Sequence, residues 1–124
     1  MLAPEALRGI RLVGDAPVVD ALLAALPAGT TGLRFAPDEA LILGMSTIQL
    51  TAPDTIVEDE VGFVAVTVDR ALVEAHTEWS LPDAGAVAQG SIAGVPCKLA
   101  WLPDGRAWIV THAAYADELL DRLR

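Results

Sequence analysis

Few side chains in this sequence are suited to nucleophilic or acid–base chemistry. One cysteine, Cys97, lies between two histidines, His76 and His112, which are 36 positions apart. A thiol activated by an imidazole is the sharpest catalytic arrangement they could form. The local context reads differently. Cys97 follows Pro96 at the start of a strand-like run, with no helix N-terminus beside it to stabilise a thiolate, so it reads as a small buried hydrophobe. His76 falls near the Leu72 and Val73 face of a helix, close to a C-terminal end that tolerates a cation, and reads as a partly buried structural residue. His112 precedes the last helix and reads as an end-of-helix residue rather than a general base.

Metal and phosphate chemistry find little support. There is no Cys-x2-Cys, His-x-His or His-Glu-x2-His spacing, so no ligand set of compatible softness converges. Asp54, Glu58, Asp59 and Glu60 lie close together but lack the alternate-position ligands and central glycine of a calcium loop, and they read as a solvated negative face. Gly85, Gly90 and Gly94 do not form a G-x-G-x-x-G, and no lysine stands in a Walker A position.

Composition narrows the function classes further. The 124 residues suit a single domain, 1–124, and leave no room for separate cofactor and substrate modules. Eight Lys plus Arg against 17 Asp plus Glu give a formal net charge of −9, which disfavours nucleic acid and anionic membranes as partners. No apolar run approaches the roughly 20 residues needed to cross a bilayer. The first five residues lack a basic region followed by an apolar one, and a single cysteine excludes an internal disulfide. Both features imply a cytoplasmic protein.

The elements that must position these residues follow from periodicity. Ile10–Val13 reads as a strand, and Val18, Val19, Leu22, Leu23 and Leu26 recur at helical spacing after Asp15, which can cap the helix, and Pro17 in its first turn. Leu33–Ala36 and Ala40–Gly44 form a hairpin about Pro37-Asp38-Glu39. Residues 47–50 are a short strand candidate, followed by the acidic stretch as exposed connection. The second half repeats the order: a strand over Gly62–Val68, a helix over Arg70–Glu78 capped by Asp69, a strand over Ala88–Ala93, then a hairpin of Lys98–Leu102 and Ala107–Thr111 turning at Asp104-Gly105. A final helix carries Ala116, Leu119, Leu120 and Leu123 on one stripe.

The two hairpins align. Leu33-Arg-Phe-Ala-Pro37-Asp38 matches Leu99-Ala-Trp-Leu-Pro103-Asp104 at an offset of 66, and after one inserted residue Ala40-Leu-Ile-Leu matches Ala107-Trp-Ile-Val. The expected fold class is α+β: two ferredoxin-like β-α-β-β halves, about 10–50 and 62–124, forming a mostly antiparallel sheet with helices packed on it.

A hydrophobic fraction of 53% and a mean hydropathy of +0.45 are high for such a domain. The strands Ala40–Leu43, Phe63–Val66 and Ala107–Val110 are apolar at nearly every position, where a sheet wetted on one face would alternate. Both faces must be buried, against another layer of this chain or against a partner. The latter predicts a homodimer or a docked subunit, with Phe35, Trp79 and Trp101 as candidate interface anchors.

Several runs resemble a known family. Leu33-Arg-Phe-Ala-Pro37-Asp38-Glu39-Ala-Leu-Ile-Leu43 resembles the Gly-Pro-Asp-Glu-Trp-Leu-Leu stretch of the gamma subunit of heterotetrameric sarcosine oxidase. Val66-Thr-Val-Asp69, Trp79-Ser-Leu81, Ala86-Val-Ala-Gln89 through Val95, and Trp108-Ile-Val-Thr-His-Ala-Ala-Tyr115 through Leu120 follow that family in order. The resemblance spans about residues 33–123. It implies a fold similar to the folate-binding domain of the glycine-cleavage aminomethyltransferase and of a tRNA-modifying GTPase. It also implies a non-catalytic chain that docks on flavin-bearing alpha and beta chains and holds no cofactor itself. The chain departs from the family in being shorter, in having Ala40 where the family has Trp, and in having Ser80 where Asp is expected. No folate-contacting carboxylate transfers to a numbered position.

Two other functions compete with this one. A folate- or pterin-binding protein of one-carbon metabolism would place tetrahydrofolate in the cleft between the halves, with Asp69 or Glu78 bonding the pterin. A small Cys/His enzyme would use Cys97.

Overall fold

The computed structural model describes residues 2–49 and 52–124. Its chain divides into two compact units: residues 7–61, and the first six residues together with Gly62–Arg124. The class is α+β, with three helices and two antiparallel sheets among the described residues, one sheet in each unit.

Within residues 7–61 the order is β2 (Gly9–Val13), α1 (Ala16–Ala24), β3 (Thr31–Ala36), β4 (Glu39–Leu43) and β5 (Ile56–Glu60). The sheet runs β3-β4-β2-β5. The second hairpin strand, β4, is inserted between β3 and β2, which makes a split β-α-β arrangement. Pro37-Asp38 forms the two-residue turn, and the Asp38 carbonyl accepts from the Gly14 amide at 3.0 Å. Leu12, Val19, Ala40 and Ile42 form a buried cluster, against which Leu22, Leu23 and Leu26 pack from the helical stripe.

The other unit holds β1 (Glu5–Ala6), β6 (Phe63–Val68), α2 (Arg70–Glu74), β7 (Ala88–Ile92), β8 (Val95–Trp101), β9 (Ala107–His112), a 3-10 turn over Ala113–Tyr115 and α3 (Ala116–Leu123). Its sheet runs β1-β6-β9-β8-β7. When the hairpin β8-β9 is set against β3-β4, the order β8-β9-β6-β1 reproduces β3-β4-β2-β5, with β7 as an added edge. β7 and β8 join through Ala93 and Gly94, both at positive φ, the geometry of a two-residue turn that matches strand twist. Val66, Val73, Ile92, Leu99, Ile109 and Leu119 are among the core residues, and all four positions of the predicted α3 stripe are buried.

Several local expectations are corrected. Residues 47–49 are not a strand, and Leu50 lies outside the described residues. The strand is formed instead by Ile56–Glu60, within the stretch read as connection. Its residues are almost all exposed, and a charged edge strand has no apolar period to announce it. Helix α2 ends at Glu74 rather than Glu78, because the His76 carbonyl accepts from the Ala93 amide at 2.9 Å and the chain turns toward β7. Asp15 and Asp69 occupy the N-cap positions, but neither side chain caps; their backbone carbonyls accept the first helical bonds.

The strand faces turned away from the helices are buried too. Leu33, Phe35 and Leu41 in one unit, and Phe63, Ala65 and Val110 in the other, are all at most 8% exposed. Burial on both faces is what the lack of alternation predicts. The apolar area left exposed is therefore not on these strand faces. The large hydrophobics exposed among the described residues are Ile56, Val57, Val61 and Tyr115.

Candidate functional site

Cys97 lies in β8 opposite Gly90 of β7 and is 6% exposed. Burial pushes its thiol up to about 11, against a smaller opposing effect of the Thr111 hydroxyl. Thr111, itself buried, donates its hydroxyl to the Pro96 carbonyl at 2.9 Å. Cys97 and His112 both border a cavity of about 270 Å³. Strand alternation nevertheless separates them: Lys98 pairs with Val110, so His112 shares the Lys98 face while Cys97 points the other way. His112 instead stacks on Phe63, its register partner, with ring centroids 4.7 Å apart, and Lys98 Nζ stands 5.2 Å from the same ring. His76 borders a different cavity, and its Nδ1–H donates to the Leu72 carbonyl at 2.9 Å. The thiol thus has no imidazole placed to activate it.

The thiol makes a pH prediction. Its folded pKa lies above its unfolded one, so the stabilisation is complete below about 9 and is lost as pH rises through about 11. Urea unfolding across that window should show stability falling more steeply for the native protein than for Cys97→Ala. Equal slopes would contradict the burial.

The unit carrying β6–β9 also positions both candidate tryptophans. Trp79, half-buried, follows α2, and its indole N–H donates to the Ser91 carbonyl at 2.8 Å. The ring lies directly on Gly90, where a Cβ would come within 2.7 Å of Trp79 Cε2, so the absence of a side chain there makes room for the indole. Trp101 ends β8, and its N–H donates to the Pro82 carbonyl at 2.8 Å. The two indoles therefore hold the segment from Trp79 to Pro82 against the sheet, with Leu81 packed on the core between them. Arg70 lies 4.8 Å from the Trp101 ring centroid and is paired with Glu74 at 2.7 Å. Both tryptophans keep part of their surface outside, whereas Phe35, at 8% exposure, offers a partner almost nothing.

Of the two candidate pterin carboxylates, Glu78 is exposed and borders a cavity of about 450 Å³ with His76, Thr77, Trp79 and Ser91. Asp69 is exposed at the start of α2 and does not border that cavity. Of the two, only Glu78 borders this cavity. Among the described residues no group of three or more His, Cys, Asp and Glu side chains is arranged to hold a metal ion.

Sequence reasoning missed the edge strand β5. Arg11 at the centre of β2 binds Glu39 of β4 at 2.6 Å and Glu58 of β5 at 2.9 Å. Glu39, and then Glu58, raise the Arg11 pKa further above its ordinary value. An arginine between apolar neighbours in Ile10-Arg11-Leu12 was the available signal that an acidic strand lies alongside.

No protein-family model and no curated protein matches the sequence. Among solved structures, a chain of the heterotetrameric sarcosine oxidase from Corynebacterium sp. U-96, in complex with pyrrole 2-carboxylate, is similar in fold. The TM-score is 0.79 over 99% of this chain and 80% of that one, at 14% sequence identity. The likeness shows the fold, and it lies in a complex assembled from several chains. Among the described residues, no helix is long and apolar enough to cross a membrane.

Proposed function

We propose that this chain is a non-catalytic, protein-contacting subunit of the sarcosine oxidase gamma type, docked on flavin-bearing chains that carry out an amine oxidation. The observation that carries this reading is the fold likeness, TM-score 0.79 over 99% of the chain, to a chain of a heterotetrameric oxidase. The runs at residues 33–43 and 108–120 that resemble the gamma family support it, and so does the placement of Cys97, buried, with its pKa raised by that burial, and turned away from His112. Half-exposed Trp79 and Trp101 are anchors of the type on which interface energy concentrates.

Affinity purification of the tagged full chain from its native cells tests the reading. The expected result is a complex of fixed stoichiometry with visible flavin absorbance, in which the tagged chain is itself flavin-free. Recovery of the chain alone, or only paired with itself, under gentle low-salt conditions would overturn it.

A further inference from the structure

β5 ends its sheet. It pairs with β2 along one side, and among the described residues no strand lies along the other. Four of its five residues are exposed. Three of the four large hydrophobics exposed among the described residues lie on it or next to it: Ile56 at 52%, Val57 at 38% and Val61 at 65%. An open edge of backbone donors and acceptors flanked by exposed β-branched side chains is a template for an added strand. Natural edges are blunted by charged side chains, above all lysine, by proline or by a bulge. This one has no proline, lysine or register shift against β2, and its charges are all acidic, Glu58, Asp59 and Glu60, so they guard it against an acidic strand rather than a basic one.

Those carboxylates select the occupant. A second copy added antiparallel about its centre would set Glu58 against Glu58, between two chains that each carry a net charge of −9. Along β5, Ile56, Glu58 and Glu60 share one face, and Val57 and Asp59 the other. Each face thus carries both an apolar and an acidic position; Glu58 is already paired with Arg11 of β2 at 2.9 Å, and Asp59 is the acidic position on the Val57 face. A guest strand that alternates lysine or arginine with β-branched residues complements it.

We propose that β5 is a docking edge for an extended, basic segment of a partner protein, which adds to the β3-β4-β2-β5 sheet as a fifth strand. The inference rests on the reading of the chain as a protein-contacting subunit, and adds the surface and the chemistry of the partner.

The probe is a capped heptapeptide alternating Lys with Val, titrated into the isotope-labelled full chain. Amide shifts and hydrogen exchange report where it binds. Two further peptides serve as controls, one with alternate backbone amides N-methylated and one with Glu in place of Lys. The expected result is new exchange protection confined to the amides of residues 56–61. Affinity should fall about tenfold or more on N-methylation and for the Asp59→Lys protein, and the acidic peptide should not bind. Equal binding of the N-methylated peptide would show charge attraction without strand addition and would overturn the proposal. So would protection elsewhere, or a β5-mediated dimer that forms without peptide. If the chain co-purifies with a flavoprotein but the peptide leaves β5 unprotected, the docking edge fails and the proposed function stands. If the peptide protects β5 but no flavoprotein is recovered, the docking edge stands and the function fails.

Discussion

Leu99→Ala should lower the unfolding free energy by about 3 kcal/mol, read from urea denaturation followed by tryptophan fluorescence. Leu99 is wholly buried, stands between Ala88 on β7 and Ile109 on β9 in register, and packs in the core with Val73, Leu119 and their neighbours. Truncation removes its transfer free energy and leaves a cavity. Collapse into that cavity is restricted, because ladder hydrogen bonds fix β8 on both sides, and this places the loss well inside the range known for buried leucine truncations. Leu81→Ala, at a half-buried position on the rim of the same core, should cost clearly less. A loss under about 1 kcal/mol at Leu99 would mean that the side chain is not tightly packed between its neighbours.

Gly44→Ala should be comparably severe, and for a separable reason. Gly44 closes β4 with φ at +90°, and a Cβ there would come 2.8 Å from the Gly29 carbonyl oxygen, a backbone atom with no flexible arm to swing aside. Gly105, in the β8-β9 turn, has nearly the same φ, +88°, and a methyl added there would meet nothing within 4 Å. Gly105→Ala therefore incurs backbone strain alone, about 1–2 kcal/mol. Gly44→Ala adds the collision and should exceed it by roughly a further 1 kcal/mol or more. Paired thermal or urea melts of the two variants isolate the steric part. Equal losses would show that β4 can shift away from Gly29.

Legibility of the fold follows how strongly each residue depends on its neighbours in sequence. The β8-β9 hairpin is readable because Asp104-Gly105 acts locally: Gly105 takes the positive φ, and the Asp104 carboxylate accepts from the Arg106 amide at 2.9 Å. The α3 stripe is readable because a spacing of three and four suffices to put Ala116, Leu119, Leu120 and Leu123 on one buried face. Helix α2 stops short of its sequence pattern because its end is set by Ala93, a residue of the β7-β8 turn that bonds the His76 carbonyl across the fold. Strand β5 is invisible for the complementary reason. Its charges suit an edge, and the arginine that recruits it is 47 residues away.

The site is legible only as residue types. Trp79 and Trp101 are recognisable as large anchors, but that each commits its N–H to the backbone, at Ser91 and Pro82, depends on tertiary geometry. The separation of Cys97 from His112 likewise needs the register of β8 against β9.

The short strand Glu5–Ala6 belongs to the sheet completed by the last part of the chain, pairing with Val64 and Ala65, while everything between builds a different sheet. In chain order the stretch from Leu7 to Val61 is thus inserted between two segments of the other unit, like a clause within a sentence. During synthesis Glu5 and Ala6 precede β6 and must wait for it, so their pairing closes a chain loop that contains every strand of the β3-β4-β2-β5 sheet. The entropic cost of that closure grows only logarithmically with the length enclosed, which is why so distant a pairing can still form. It also makes this pairing one of the least local events in the assembly of the protein.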